Sequence, residues 1–135
     1  MKKILLFAMA ILILTACSLT PKVDLVGEWK LISYGDVANP TPAVPGVDTT
    51  IKFENGKVSG NLGCNSFGGD YEMKGNTVVF GSIMSTEMYC DATSTQEQGV
   101  FGIFADGVDL GIQMNSNILT ITFPDGLSVV NLARK

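Results

Sequence analysis

The sequence predicts an α+β domain: an antiparallel curled sheet, or incomplete β-barrel, of about eight short strands with one helix. Three observations predict it. Apolar and polar residues alternate in short runs, the period of a half-buried strand. Asn, Gly, Pro and Asp clusters separate these runs. Only residues 94–106 (STQEQGVFGIFAD) repeat apolar positions at helical spacing. Short strands that follow one another this closely curl up, because curling limits exposed edges.

The first element is not part of that domain. Lys2 and Lys3 precede eleven consecutive apolar residues, 4–14 (ILLFAMAILIL). A helix needs about 20 residues to span a bilayer, so this run fits the apolar core of a signal peptide. It ends in Leu14-Thr15-Ala16-Cys17, which resembles the bacterial lipobox. The resemblance implies removal of residues 1–16, a diacylglyceryl group on the Cys17 thiol and acylation of the freed amine. Two or more acyl chains anchor a protein stably at a membrane. An ordinary secretory signal and a transmembrane anchor are the alternatives. Ser18, where an Asp would favour the inner membrane, implies the periplasmic face of the outer membrane in a Gram-negative cell. Residues 17–24 form the lipidated end and a polar tether, of which 18–24 (SLTPKVD) reach roughly 23 Å fully extended. The domain proper is expected at 25–135.

Residues 26–34 (VGEWKLISY) read as a first strand with a bulge, and 36–48, with Pro40, Pro42 and Pro45, as a loop. Runs 50–54 and 57–62 flank Asn55-Gly56, the signature of a type I′ hairpin. Residues 63–71 (GCNSFGGDY) read as a glycine-rich corner. Segments 71–73 and 77–80 read as short strands and 82–89 as another. In the helix, Ser94 and Glu97 fit a capping box. Val100, Phe101, Phe104 and Val108 form its core stripe, and Gly107 is its terminator. Segments 108–114, 118–123 and 127–132 read as the closing strands, with Pro124-Asp125-Gly126 as the last turn.

Composition narrows the function. The 135 residues hold 9 basic and 13 acidic side chains, and losing Lys2 and Lys3 leaves 7 against 13, or −6. An acidic domain repels phosphates, so nucleic acid is not an expected partner. The chain has no histidine, which excludes Ser-His-Asp and Cys-His catalysis and imidazole metal sites. No cofactor is expected. Three cysteines in an exported chain leave one odd. With Cys17 acylated, Cys64 and Cys90 can pair in an oxidising compartment. The alternative is two free thiols, although neither has a cationic neighbour in sequence to lower its pKa.

Trp29-Lys-Leu31-Ile-Ser33, Phe53, Val58-Ser59-Gly60 and Gly63-Cys64-Asn65-Ser-Phe67-Gly-Gly69-Asp-Tyr71 resemble the META domain, the family of the bacterial heat-shock protein HslJ. Ser85-Thr86-Glu-Met88-Tyr-Cys90, Glu97, Phe101 and Leu119-Thr-Ile121 continue the likeness in order. The resemblance covers residues 25–132. Tyr89 departs from it, standing where the family has a small residue. It implies a small, non-enzymatic envelope or secreted domain, linked to heat shock and novobiocin resistance, with a fold like the cracked barrel of lipid-binding pilot lipoproteins.

The motif residues expected to matter are Trp29, Gly63, Asn65, Phe67, Gly69, Tyr71 and Thr86, as a structural corner or a binding one. Gly63, Gly68 and Gly69 are expected to adopt backbone conformations closed to other residues. The expected partners are the membrane, through Cys17, and an envelope protein or an apolar ligand. A carrier of lipid inside the incomplete barrel is the second reading. Gly27-Glu28-Trp29 echoes the strand start of lipocalins, and Phe53, Phe80, Met84, Phe101 and Phe104 either line a cavity or fill it. A hydrolase using Ser59 with Lys57, or Thr86 with Glu87, is the third, and adjacent strand residues face opposite ways. A calcium site near Asp106, Asp109 and Asp125 competes with the plain reading of solvated turn acids.

Overall fold

The computed structural model describes residues 22–135; the signal at 1–16 and the acylation site at Cys17 lie outside them. The strands are β1 (Gly27–Asp36), β2 (Thr41–Pro42), β3 (Thr50–Glu54), β4 (Lys57–Asn61), β5 (Ser66–Lys74), β6 (Thr77–Phe80), β7 (Met84–Ser85), β8 (Asp109–Asn115), β9 (Ile118–Thr122) and β10 (Ser128–Arg134). Among the described residues one helix, α1 (Ser94–Ile103), separates β7 from β8. Every strand pairing is antiparallel, in the order β10-β9-β8-β6-β5-β4-β3-β1-β2. The sheet curls until β10 also meets β1, from Trp29↔Arg134 to Asp36↔Ser128. The short strands β2 and β7 attach to β1 and β5 by two residue pairs each, and between the longer strands the thinnest joints are β6–β8 and β1–β3, with three pairs each.

Local chemistry explains the clearest elements. Asn55 and Gly56 both take positive φ (52° and 74°), so their turn twists with the strands and fixes the register Phe53↔Val58. The bulge in β1 falls between Leu31 and Ser33, where the pairing to β10 shifts by one residue. In β3, Ile51 and Phe53 point inward; in β9, Leu119 and Ile121 do. Phe53, Phe80 and Phe104 stack in series, with centroids 6.2 and 4.5 Å apart. They fill the interior together with Trp29, Ile51, Leu62, Leu110 and Leu132. Met84 is instead 75% exposed, and Phe101 is half-buried.

Several expectations need correction. The block 63–71 is a corner only as far as Asn65, because β5 begins at Ser66 and runs straight through Gly68 and Gly69. Of the three glycines, Gly63 alone takes a positive φ (129°). Gly69 is small for another reason: a Cβ there would lie 2.8 Å from Ile83 Cδ1 and 3.1 Å from Ser82 O. Segment 82–89 is a strand only at Met84–Ser85; its flanks run over the surface without alternating burial. Segment 36–48 is a loop except where Thr41–Pro42 adds an edge pair to β1, a position at which proline is tolerated. The helix ends at Ile103, before Gly107, and it carries no capping box. Its N-cap is Thr93, which makes no side-chain capping bond, while the Glu97 carboxylate turns inward.

Antiparallel alternation sorts the connections between two ends. The chain enters and leaves at one end, which also holds the turns at 55–56, 75–76 and 116–117. The helix, the corner at 62–65, the loop at 37–49 and the turn at 124–127 occupy the other.

Candidate functional site

At the helix end, a polar cluster is sealed into the corner between β4 and β5. Asn61 shapes the turn: its side chain accepts from Gly63 N–H at 2.7 Å and donates to Cys64 O at 3.1 Å. Gly63 passes against Thr93 and Val47, where a Cβ would come within 2.6 Å of Thr93 Cγ2. That approach points the next two amides at the helix. Cys64 N–H and Asn65 N–H both donate to Glu97 Oε1, at 3.0 and 2.6 Å. Asn65 Nδ2 donates to Glu97 Oε2 at 2.7 Å and to Met88 O at 2.9 Å. Asn65 Oδ1 accepts from Thr86 Oγ1–H and Met88 N–H, both at 2.8 Å. The primary amide of Asn65 thereby uses two donors and two acceptor sites, and no other side chain of that size offers both.

Asn65 and Glu97 are 6% and 5% exposed, so their hydrogen bonds replace water almost completely. Beside them Gln96, also buried, accepts from Val44 N–H at 2.8 Å and donates to Leu62 O. A Cys64–Cys90 disulfide, with Cα atoms 6.1 Å apart, ties the corner to the segment entering the helix. Replacing both cysteines with alanine is expected to cost about 3.5 kcal/mol by loop entropy, read as a lower urea midpoint with a somewhat steeper slope, because the unlinked denatured chain exposes more surface.

The expected motif residues do not all meet here. Gly63, Asn65, Thr86 and the two cysteines do. Phe67 stands on β5 just beyond, edge-on to Phe101 of the helix at 5.4 Å. Gly69 lies further along the same strand. Tyr71 packs edge-on against Phe53 at 5.1 Å. Burial raises its phenol pKa above the usual value, and the Asp24 charge adds to the rise. Trp29 is fully buried in β1, next to Arg134 near the other end. Sequence reasoning missed Gln96 and Glu97 as members of the cluster. The available signal was a pair of long polar residues on the turn of the helix that also bears Val100.

An open cleft of about 420 Å³ lies over the cluster, lined by Thr86, Glu87, Met88, Tyr89, Gln98 and Phe101 among others. Met84, Met88 and Tyr89 stand 75%, 60% and 80% exposed along this side. Tyr89 O–H donates to Asp91 at 3.1 Å. The polar groups beneath are committed to one another. Thr86 Oγ1–H is held by Asn65 rather than by Glu87, and Lys57 pairs with Asp70, so neither nucleophile pairing forms. Asp109 faces Lys74 at 3.9 Å, and Asp125 accepts from Leu127 N–H at 2.7 Å. Among the described residues, no group of three or more Asp, Glu or Cys side chains is arranged to hold a metal ion.

The features define a class first: a small curled-sheet domain behind a lipoprotein signal. A model described as a prokaryotic membrane lipoprotein lipid attachment site matches residues 1–18, so the chain is a membrane-anchored envelope lipoprotein. The META domain model matches residues 23–135, and the chain belongs to that family. No curated protein matches the chain. Among solved structures, it is similar to a protein from Burkholderia xenovorans determined by NMR. The two are 23% identical with a TM-score of 0.65, over 82% of this chain and 83% of that one. It is also similar to the crystal structure of a DUF4847 family protein from Bacteroides vulgatus, at 16% identity and a TM-score of 0.58, over 82% and 94% of the two chains. At these identities the likeness establishes the fold.

Proposed function

We propose that this envelope lipoprotein is non-enzymatic and works by contact, as a binding or structural module in the response to envelope stress. The observation that carries the reading is the self-satisfied corner. Asn65, Thr86 and Glu97 spend their hydrogen-bonding capacity on one another, which makes a rigid base and leaves no base–nucleophile pair. On that base the loop presents Met88 and Tyr89 to solvent, and exposed aromatic and methionine side chains favour protein contacts. Family membership supports the stress assignment, and Ser18 supports the outer membrane's periplasmic face in a Gram-negative host. A lipid carrier finds less support, because aromatic rings fill the interior that a ligand would need.

Complementation of a deletion strain tests the reading. The double variant Met88→Ser/Tyr89→Ser is expected to melt within a few degrees of the parent, since both positions are exposed. It is expected to lose protection against heat in cells. Full protection by that variant overturns the contact reading. Lipid extracted stoichiometrically from the released domain favours the carrier, and substrate turnover by the purified chain favours an enzyme.

A further inference from the structure

We propose that the domain stands on the bilayer in one orientation, with its hairpin-turn end against anionic lipid headgroups and its cleft facing away. The inference rests on the acyl anchor at Cys17 and on an asymmetry of charge. All seven basic residues of 22–135 belong to the end where the chain enters. Lys22, Lys57, Lys74, Arg134 and Lys135 sit at the termini or beside the turns. Lys30 and Lys52 lie on the flanks of β1 and β3 near that end, Lys52 opposite Glu28.

The acids divide differently. Asp24, Glu28, Glu54, Asp70 and Glu72 share the basic end, and Asp48 and Asp109 reach back to Lys135 and Lys74. Seven cations against seven acids leave that end neutral. The helix end holds Asp36, Glu87, Asp91, Glu97, Asp106 and Asp125 and no cation, so it carries the whole −6.

The anchor converts this asymmetry into an orientation. Only five residue steps separate Cys17 from Lys22, a reach of roughly 17 Å. The entry end is therefore held near the surface. A surface of anionic lipid has a potential of tens of millivolts that decays within a Debye length, about 8 Å. The near face, neutral in sum, meets it without net repulsion, and an end bearing six uncompensated acids is driven outward. Lys57 and Lys74 have side chains 72% and 51% exposed, free to meet headgroups while their partner acids stay solvated. The opposite orientation would bring the acidic end to the surface and require the short tether to climb the length of the domain.

Amine footprinting of the mature acylated protein in vesicles tests this. One set of vesicles is pure phosphatidylcholine, and the other holds about 30% phosphatidylglycerol, enough to set a negative surface potential. Flotation with both sets reports the anchor independently. In the anionic set, initial acetylation of Lys22, Lys57 and Lys74 is expected to slow several-fold, and high salt is expected to restore it. Carbodiimide labelling of Asp36, Asp91 and Asp125 is expected to stay unchanged. The variant Lys57→Glu/Lys74→Glu should lose the protection of Lys22. Equal lysine labelling in both vesicles, or protection of the acids instead, overturns the orientation and leaves the anchor standing. Failure to float overturns both.

Discussion

Trp29→Ala should lower the unfolding free energy by about 5 kcal/mol, the upper end for truncating a buried aromatic. The site explains why the upper end applies. Trp29 is fully buried in β1, and its register partner is Arg134, the last residue of β10. Its Nε1–H donates to Leu25 O at 2.9 Å, which pins the entering chain. The Arg134 guanidinium lies 4.4 Å over the ring and donates to Val26 O and Asp24 O at 3.0 and 3.3 Å. One indole thus locks the first described residues, the first strand and the last strand together. Removing it leaves a cavity, a carbonyl without its donor and a cation without its aromatic face. Trp29→Phe keeps most of the volume and the aromatic face, so its loss should be well under half as large. Both are read by far-UV circular dichroism in urea, because Trp29 is the sole tryptophan and its removal abolishes that fluorescence signal. Equal losses for the two variants would mean that the indole N–H, not packing, holds the seam.

What was legible in the sequence divides by the range of the interaction behind it. The Asn55-Gly56 hairpin is legible because both residues of the turn declare their own positive φ. Strands β8 and β9 are legible because their inward positions alternate without interruption, as in Leu119 and Ile121, whereas β10 breaks the period where Val129 and Val130 are both buried. Gly69 is not, because its size is dictated by Ile83, which crosses it in a segment with no strand-like burial. The same limit explains the misread capping box. Ser94 and Glu97 have the correct spacing, but the amides that capture Glu97 belong to Cys64 and Asn65, more than thirty residues upstream. At the candidate site, the cysteines, Asn65 and Thr86 could be gathered through family likeness. Glu97 belongs to the same likeness, but its inward role was hidden, and Gln96 gave no signal at all, since polar residues on a helix face signify solvent unless something buried needs them.

Asn65→Ala tests whether that corner is a structural hub. The expected cost is about 4 kcal/mol, near 15 °C in Tm for a domain of this size. The bond from Nδ2 to the Glu97 carboxylate accounts for the largest share, because it is charge-assisted and buried. The bonds to Thr86 and to Met88 N–H and O contribute about 1 kcal/mol each or less, since Thr86 and Met88 are exposed enough for water to replace Asn65. Asn65→Asp separates electrostatics from shape. It keeps the acceptors for Thr86 and Met88 but sets a second carboxyl group against Glu97 in place of a donor. Two buried carboxylates disfavour joint ionisation, so the introduced group is expected to titrate above its unfolded value. By linkage, its deficit relative to the parent should then be greatest at neutral pH and shrink as pH falls towards about 4, where protonation restores a donor. A deficit independent of pH would show that Glu97 does not sense the substituted side chain. A loss below about 1 kcal/mol for Asn65→Ala would show that the corner holds without its hub, and the basis for reading it as a rigid platform would go with it.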